Sequence, residues 1–190
     1  MTMTESRNII DHYHYWKHDA IIADLDTKRN NFYVLCCNLY NDFNIATVIR
    51  NANAFLSKKV IIYGSKQYDR RGTVGTHRYT HFEHYKNETD LNLFLKRTKF
   101  SRIVGIDNVS SSVAITNYDW GSPSSEEDIL MIFGQEQVGI PDNLLDICDD
   151  LVYIPQYGSV RSLNVGTASG IAMYDYCSKV INNVQKANTP

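Results

Sequence analysis

The chain has 190 residues, 43% hydrophobic and 21% charged, the balance of an ordinary globular domain and not of a disordered, fibrous or collagen-like protein. No apolar run approaches the ~20 residues that span a bilayer, and the leading MTMTESRNIIDHYHYW lacks the basic-then-apolar pattern of a secretory signal. Net charge is only −2, but it is segregated: residues 58–102 carry 11 basic and 4 acidic side chains, and residues 103–160 carry none and 10, so one face is expected to meet a polyanion and another not.

The first 30 residues read as a helical extension around DHYHYWKHDAIIADL, too short to be a domain of its own. Its His12, His14 and His18 are spaced to share one helical face, as polar surface or as metal ligands. FYVLCCNL (32–39) reads as a buried strand, and IATVIRNANAFLS (45–57) as an amphipathic helix with Asn44 as its N-cap. KVIIYG (59–64) is a second strand. ETDLNLFLKRT (88–98) is a helix with an acidic first turn and a basic last one. RIVGID (102–107), DILMIF (128–133) and LVYIP (151–155) are further strands. GSPSSEED (121–128) reads as a surface loop. SLNVGTASGIAMYDYCSKVINNV (162–184) is the longest helix, with Leu163, Ala168, Ile171, Ala172 and Val180 as its packed stripe. Residues 185–190 are a tail. Strands alternating with helices imply an α/β domain with a mostly parallel sheet flanked by helices, over residues 31–184.

Cys36, Cys37, Cys148 and Cys177 include no CxxC pair. Adjacent cysteines on a strand point to opposite faces, so all four read as reduced thiols of a cytoplasmic protein, with no metal site.

Three segments carry polar residues that packing alone does not require. Asn44 to Ala52 follows a strand and opens a helix, with Arg50 the one charge in it, either a snorkelling surface arginine or a guanidinium aimed at phosphate. Phe133-Gly134-Gln135-Glu136-Gln137-Val138-Gly139-Ile140 follows a strand directly, where α/β sheets bind ligands. Ile154 to Val165 does the same before the last helix, and the small residues 166–170 call for close packing or ligand approach.

In this order the three segments resemble the motifs of the SpoU/TrmH family of RNA ribose 2′-O-methyltransferases, of the SPOUT superfamily. Asn44 and Arg50 match the first motif. Gly134, Glu136 and Gly139 match the second. Ile154, Pro155, Gly158 and Ser162-Leu163-Asn164-Val165 match the third, which is the most specific. The resemblance runs from about 32 to 180. Ala46 stands where glycine is common and would narrow the space beside the ligand; Gln135 stands where asparagine is common.

The resemblance implies a C-terminal trefoil knot and S-adenosylmethionine as methyl donor, held by Phe133, Gly134, Glu136, Gly139, Ile140, Ile154, Gly158, Ser162, Leu163 and Asn164. It implies Arg50, Asn44, Ser162, Asn164 and Glu136 as the catalytic set. Arg50 is a general base or, since a guanidinium is a permanent cation, a holder of the neighbouring phosphate. Glu136 contacts the ribose or structures the knot loop. It also implies a homodimer in which Arg50 of one subunit serves the cofactor of the other, and RNA as partner, with tRNA and its D-loop guanosine favoured over rRNA or the tRNA wobble nucleotide. An inactive RNA-binding module of the same fold is the alternative. The basic block fits RNA: Arg70, Arg71 and Arg78 beside Arg50 for phosphates, Lys58 and Lys59 nearby, and Tyr63, Tyr68, Tyr79 and Tyr85 for stacking on bases. The acid-only block should lie away from that face.

Overall fold

The computed structural model describes residues 8–38, 44–121, 127–135 and 138–181. In chain order these hold α1 (His18–Asp26), β1 (Asn30–Asn38), α2 (Ile45–Ala54), β2 (Ser57–Gly64), β3 (Phe82–Tyr85), α3 (Glu88–Thr98), β4 (Arg102–Ile106), β5 (Val113–Ala114), β6 (Ile129–Phe133), α4 (Asp142–Leu145), β7 (Asp150–Tyr153) and α5 (Val165–Tyr176). The strands form one sheet in the order β3-β2-β1-β6-β4-β7-β5, and every neighbouring pair is parallel.

A parallel sheet covered on both faces needs strands that are apolar on both faces. β6 is buried at every position, Ile129 to Phe133. Along β1, Phe32, Val34 and Cys36 pack with Val48, Ile49 and Ala52 of α2 and Ala172, Met173 and Tyr176 of α5. Leu35 and Cys37 pack instead with Leu91 and Phe94 of α3 and Leu144 of α4. The period of two thus puts the adjacent cysteines on opposite faces, as expected. None of the four cysteines forms a disulfide, and burial pushes the Cys37 thiol up to about 12.

Several elements differ from the sequence reading. α5 starts at Val165 and not at residue 162, and its α-helical part gives way to a π-helical turn at Cys177–Ile181. Its buried side is Gly166, Ser169, Ala172, Met173 and Tyr176, continued by Val180, while Leu163, Ala168 and Ile171 are half-buried. The reason is its contact with α2: Asn51 Nδ2 donates to the Gly166 carbonyl at 2.8 Å and to Ser169 Oγ at 3.0 Å. The small residues of 166–170 therefore serve helix packing. The N-terminal helix is broken. His12 lies in a single turn of 3₁₀ helix (Asp11–Tyr13), Lys17 is extended, and His18 opens α1 and stacks on Tyr79, so the three histidines share no helical face. Among the described residues no group of three or more His, Cys, Asp or Glu could hold a metal ion, and no helix is long and apolar enough to cross a membrane.

α1 is tied to the sheet and to the turn at Thr76–Tyr79 by Arg29, whose side chain is 5% exposed. Its guanidinium donates to Asp26 Oδ1 at 2.6 Å and to the carbonyls of Ser57 and Tyr79 at 3.0 and 3.2 Å. The extension is thus packed against the body beside the basic segment.

Candidate functional site

The strand order makes β6, β4 and β7 neighbours, and their carboxyl ends at Phe133, Ile106 and Tyr153 open into one cavity of about 510 Å³. That volume suits a small organic ligand. The second and third sequence segments both reach it: Phe133, Gly134, Gly139 and Ile140 from one, Ile154, Ser162 and Leu163 from the other. Gly158 and Asn164 lie outside its lining, and Glu136 lies outside the described residues.

The loop after β6 folds back on itself. Gln135 N donates to the Gly139 carbonyl and Gly139 N to the Gln135 carbonyl, both at 2.9 Å. A Cβ on Gly134 would sit 2.1 Å from the Gly139 carbonyl carbon, and one on Gly139, where φ is +70°, would sit 2.5 Å from Asp107 Oδ2. Both glycines are thus required by the closure of this loop. Asp107 also accepts from Ile140 N at 2.8 Å through Oδ2 and from Asn108 N at 2.7 Å through Oδ1. One carboxylate at the end of β4 therefore fixes the loop that follows β6. Sequence reasoning missed Asp107, although its place as the last residue of the strand read at 102–107 was a usable signal.

Two more cavity residues lie in the segments singled out from the sequence but were given no role in the site there. Gln135 is 5% exposed, and its Oε1, like that of Gln156, is buried without a hydrogen-bond partner among the described residues. Buried acceptors without partners are costly. Both residues line the cavity, so a ligand N–H donor there would satisfy them. Ile106, Phe133, Ile140, Ile154 and Leu163 supply apolar walls. A nucleoside carrying amino groups fits this mixture of flat apolar surface and waiting acceptors.

Asn164 is the N-cap of α5, its Oδ1 accepting from Thr167 N at 3.2 Å, while its Nδ2 donates to Asn44 Oδ1 at 2.6 Å. Asn44 occupies the N-cap position of α2 but has helical φ and ψ and makes no capping bond with its side chain. The expected cap is replaced by this bridge, which joins the first and third segments at the start of both helices. Ala46 does not narrow the cavity. It is buried and lies outside the lining, with its methyl directed at Gly72.

Arg50 is exposed on α2 and is not part of the cavity lining of its own chain. Among the described residues it makes no ion pair. The segment after β2 displays Arg70, Arg71 and Arg78, all exposed. Arg71 chelates Asp69 with contacts of 2.6–3.0 Å, and this pairing with a backbone bond from Arg71 N draws the Asp69 carboxyl down to about 2. Thr73 Oγ1 lies 2.8 Å from the Arg70 carbonyl and 2.6 Å from His77 Nδ1. The hydroxyl has one proton and the carbonyl can only accept, so assigning that proton to Arg70 leaves His77 to donate from Nδ1. Burial, then the charges of Arg70 and Arg78, lower the His77 pKa.

The rest of the basic block is placed differently from expectation. Lys58 pairs with Asp128 at 2.5 Å, Lys59 with Glu83, and Arg102 with Asp150 at 3.6 Å. Lys58, Lys59 and Arg102 stand at the amino ends of their strands, and through Lys58–Asp128 and Arg102–Asp150 the basic and acidic blocks interlock there, while Lys59 is neutralised within the basic block. The tyrosines are unavailable as a stacking row: Tyr63 and Tyr79 are buried, Tyr68 packs against the core, and Tyr85 is bonded to Glu83.

The SpoU rRNA Methylase family model matches residues 31–174. A tRNA (guanosine(18)-2′-O)-methyltransferase of Aquifex aeolicus is 27% identical over 155 residues, 80% of this chain and 71% of that one. A 23S rRNA (guanosine-2′-O-)-methyltransferase of Acinetobacter baylyi is 31% identical over 83 residues, 44% of this chain and only 32% of the relative. In fold, the chain resembles the A. aeolicus TrmH/SpoU tRNA modifying enzyme, with a TM-score of 0.73 and 24% identity over 90% of this chain and 87% of that one. It also resembles the AviRb methyltransferase of Streptomyces viridochromogenes in complex with AdoMet, with a TM-score of 0.67 and 21% identity over 85% and 60% of the two chains. This chain belongs to the SpoU rRNA methylase family.

Proposed function

We propose that this protein transfers a methyl group from S-adenosylmethionine to a ribose 2′-hydroxyl of RNA, with tRNA as the favoured substrate. The observation that carries the proposal is the meeting of the second and third motif segments in one cavity, with the first bound to the third through Asn44 and Asn164. S-adenosylmethionine, when bound, supplies a sulfonium methyl open to in-line displacement by the ribose oxygen. The loops at Phe133–Ile140 and Ile154–Leu163 enclose its nucleoside, and Gln135 and Gln156 accept from its amino groups.

Arg50, a permanent cation with no ion pair among the described residues, holds the phosphate next to the target ribose, and that phosphate takes the hydroxyl proton. Positioning of this kind supplies a large share of the rate in a displacement that needs only alignment and proton removal. Ser162 lies at the cavity and orients ribose or cofactor, and Asn44 and Asn164 hold the two helix starts in register; Glu136, expected to contact the ribose or structure the knot loop, lies outside the described residues. Arg70, Arg71 and Arg78 extend the cationic surface along the RNA backbone.

The D-loop guanosine is favoured because the relative named for guanosine 18 of tRNA aligns over most of both chains. We further propose a homodimer, in which Arg50 of one subunit faces the cavity of its partner. The position of Arg50 outside its own cavity supports this, as does the apolar groove lined by Phe55, Ile171 and the exposed Tyr174 between α2 and α5. We assign residues 31–184 to the catalytic domain with the trefoil knot and the residues before 31 to an extension; the expected tail at 185–190 lies outside the described residues. Four cysteines outside any disulfide fit a reducing, cytoplasmic setting.

Calorimetry tests the cofactor assignment: S-adenosylmethionine should bind and NAD should not, and the reverse would sink it. Light scattering should give twice the chain mass; a monomer at micromolar concentration would refute the dimer.

A further inference from the structure

The contact between Ala46 and Gly72 joins the helix that carries Arg50 to the segment that carries the other arginines. Ala46 is on the first turn of α2 and is 2% exposed. Gly72 lies within the 3₁₀ turn Arg70–Thr73. A Cβ built on Gly72 would sit 2.7 Å from the Ala46 Cβ. A methyl bonded directly to the main chain has no rotamer by which to move away, so one of the two backbones would have to shift.

The segment around Gly72 is stiff. Asp69 Oδ1 accepts from Arg71 N at 2.9 Å and starts the turn. Thr73 and Thr76 are buried, Thr76 Oγ1 donates to the Thr73 carbonyl at 2.8 Å, and Thr80 Oγ1 donates to the Thr76 carbonyl at 2.9 Å. Val74 and Gly75 are both left-handed, with φ of 50° and 88°. Such a unit moves as a body and carries Arg70, Arg71 and Arg78 with it. At residues 46 and 72 its separation from α2 leaves no room for a second methyl. Ala46 is one turn of helix before Arg50, so this spacing also fixes the distance from Arg50 to the other three cations.

We propose that Ala46 and Gly72 form a size-matched pair that positions the basic segment relative to Arg50 for RNA. The pair explains how alanine is accommodated at position 46: the added methyl is received by the absence of one at 72, and the cavity is untouched. Both are positioning residues, and the proposal rests on the reading of this surface as the RNA-binding one.

The test uses the full chain as wild type, Gly72→Ala, and Gly72→Ala combined with Ala46→Gly. Methyl transfer from labelled S-adenosylmethionine is measured against rising concentrations of total RNA from cells lacking the gene, which holds the substrate whichever RNA it is. Gly72→Ala is expected to raise the apparent KM for RNA or lower turnover by about tenfold, since misplacement on the scale of an ångström costs up to about a hundredfold. The calorimetric affinity for S-adenosylmethionine should stay within about twofold, because neither residue lines the cavity. The double variant should recover RNA kinetics to within about threefold of wild type, the two sites being in direct contact and therefore coupled. Amide hydrogen exchange over residues 70–80 should rise in Gly72→Ala and return in the double variant.

Unchanged RNA kinetics in Gly72→Ala would overturn the proposal, as would failure of Ala46→Gly to restore them. Equal loss of cofactor affinity and RNA kinetics would show a general structural role and also overturn it. If Gly72→Ala does not fold, folding and activity of the double variant still support the pair, and their absence contradicts it. Wild-type protein that methylates no RNA would instead remove the RNA reading itself.

Discussion

The two ends of this site are built on different principles. The cavity at β4, β6 and β7 is walled by apolar side chains and framed by main chain: a loop closed on itself at Gln135 and Gly139, two glycines with no room for a side chain, and one carboxylate, Asp107, holding an amide of the loop. The surface at α2 and 70–79 is made of side chains: four exposed arginines carried on a helix and a stiff turn. A small, constant ligand rewards a rigid enclosure that excludes water. A long polyanion rewards displayed charge that can follow its backbone. Substitutions at the first end should therefore act on cofactor affinity, and substitutions at the second on RNA and turnover.

Arg50→Ala is the sharpest way to break this division. It should lower methyl transfer by about 10²–10³-fold, as removal of one transition-state contact does, and leave calorimetric affinity for S-adenosylmethionine nearly unchanged. Wild-type turnover would remove its role; loss of cofactor affinity would remove the division. Next is Asp107→Ala, which strands the Ile140 N–H and frees the loop. Unmade buried hydrogen bonds cost about 1–3 kcal/mol, so the dissociation constant for S-adenosylmethionine should rise about 5- to 150-fold, while binding of RNA by anisotropy stays near wild type. Asp107→Asn keeps one acceptor and should fall between the two.

A smaller change should follow Gln156→Met. It removes a buried acceptor and should weaken S-adenosylmethionine by about tenfold, close to 1.4 kcal/mol. An S-adenosylmethionine affinity equal to that of wild type would show that this oxygen meets no cofactor donor. The mildest effect is expected from pH. The His77 pKa is lowered in the folded state, so the unfolded chain takes up the proton first as pH falls. Its contribution to stability is complete above the ordinary histidine value and is lost as pH falls through the folded one. Amide protection over 70–80, corrected for the intrinsic pH dependence of exchange, should thus fall as pH drops below the ordinary histidine value of about 6.5, and His77→Gln should flatten that dependence.

What the sequence made legible follows from where the causes are local. α3 spans the expected 88–98 because Asn87 caps it, accepting from Asp90 N at 2.9 Å, and Lys99 turns left-handed at its end. β1, β2, β4 and β6 were readable because burial on both faces demands continuous apolar runs, and β7, where only Val152 is buried, from its short apolar run ahead of Pro155. β3, with the half-buried sequence Phe-Glu-His-Tyr, and the two-residue β5 are edge strands and carry no such run. The motif loops were visible because their glycines are fixed by the loops themselves. Asp107 and Gln156 act across neighbouring strands, and that adjacency arises from the 6-4-7 order and not from chain distance. Charge was the least faithful guide. The count for 58–102 treats Lys58, Lys59 and Arg102 like Arg70, Arg71 and Arg78, yet the first three are spent on carboxylates at the amino ends of the strands.

The central claim, methyl transfer to an RNA ribose through Arg50, is tested most directly by mass spectrometry of nucleosides from total RNA of cells with the gene, without it, and with the gene restored as wild type or as Arg50→Ala. One 2′-O-methylnucleoside should disappear with the gene, return with the wild-type protein and stay absent with Arg50→Ala. An unchanged set of methylated nucleosides after deletion, or full return with Arg50→Ala, would contradict it.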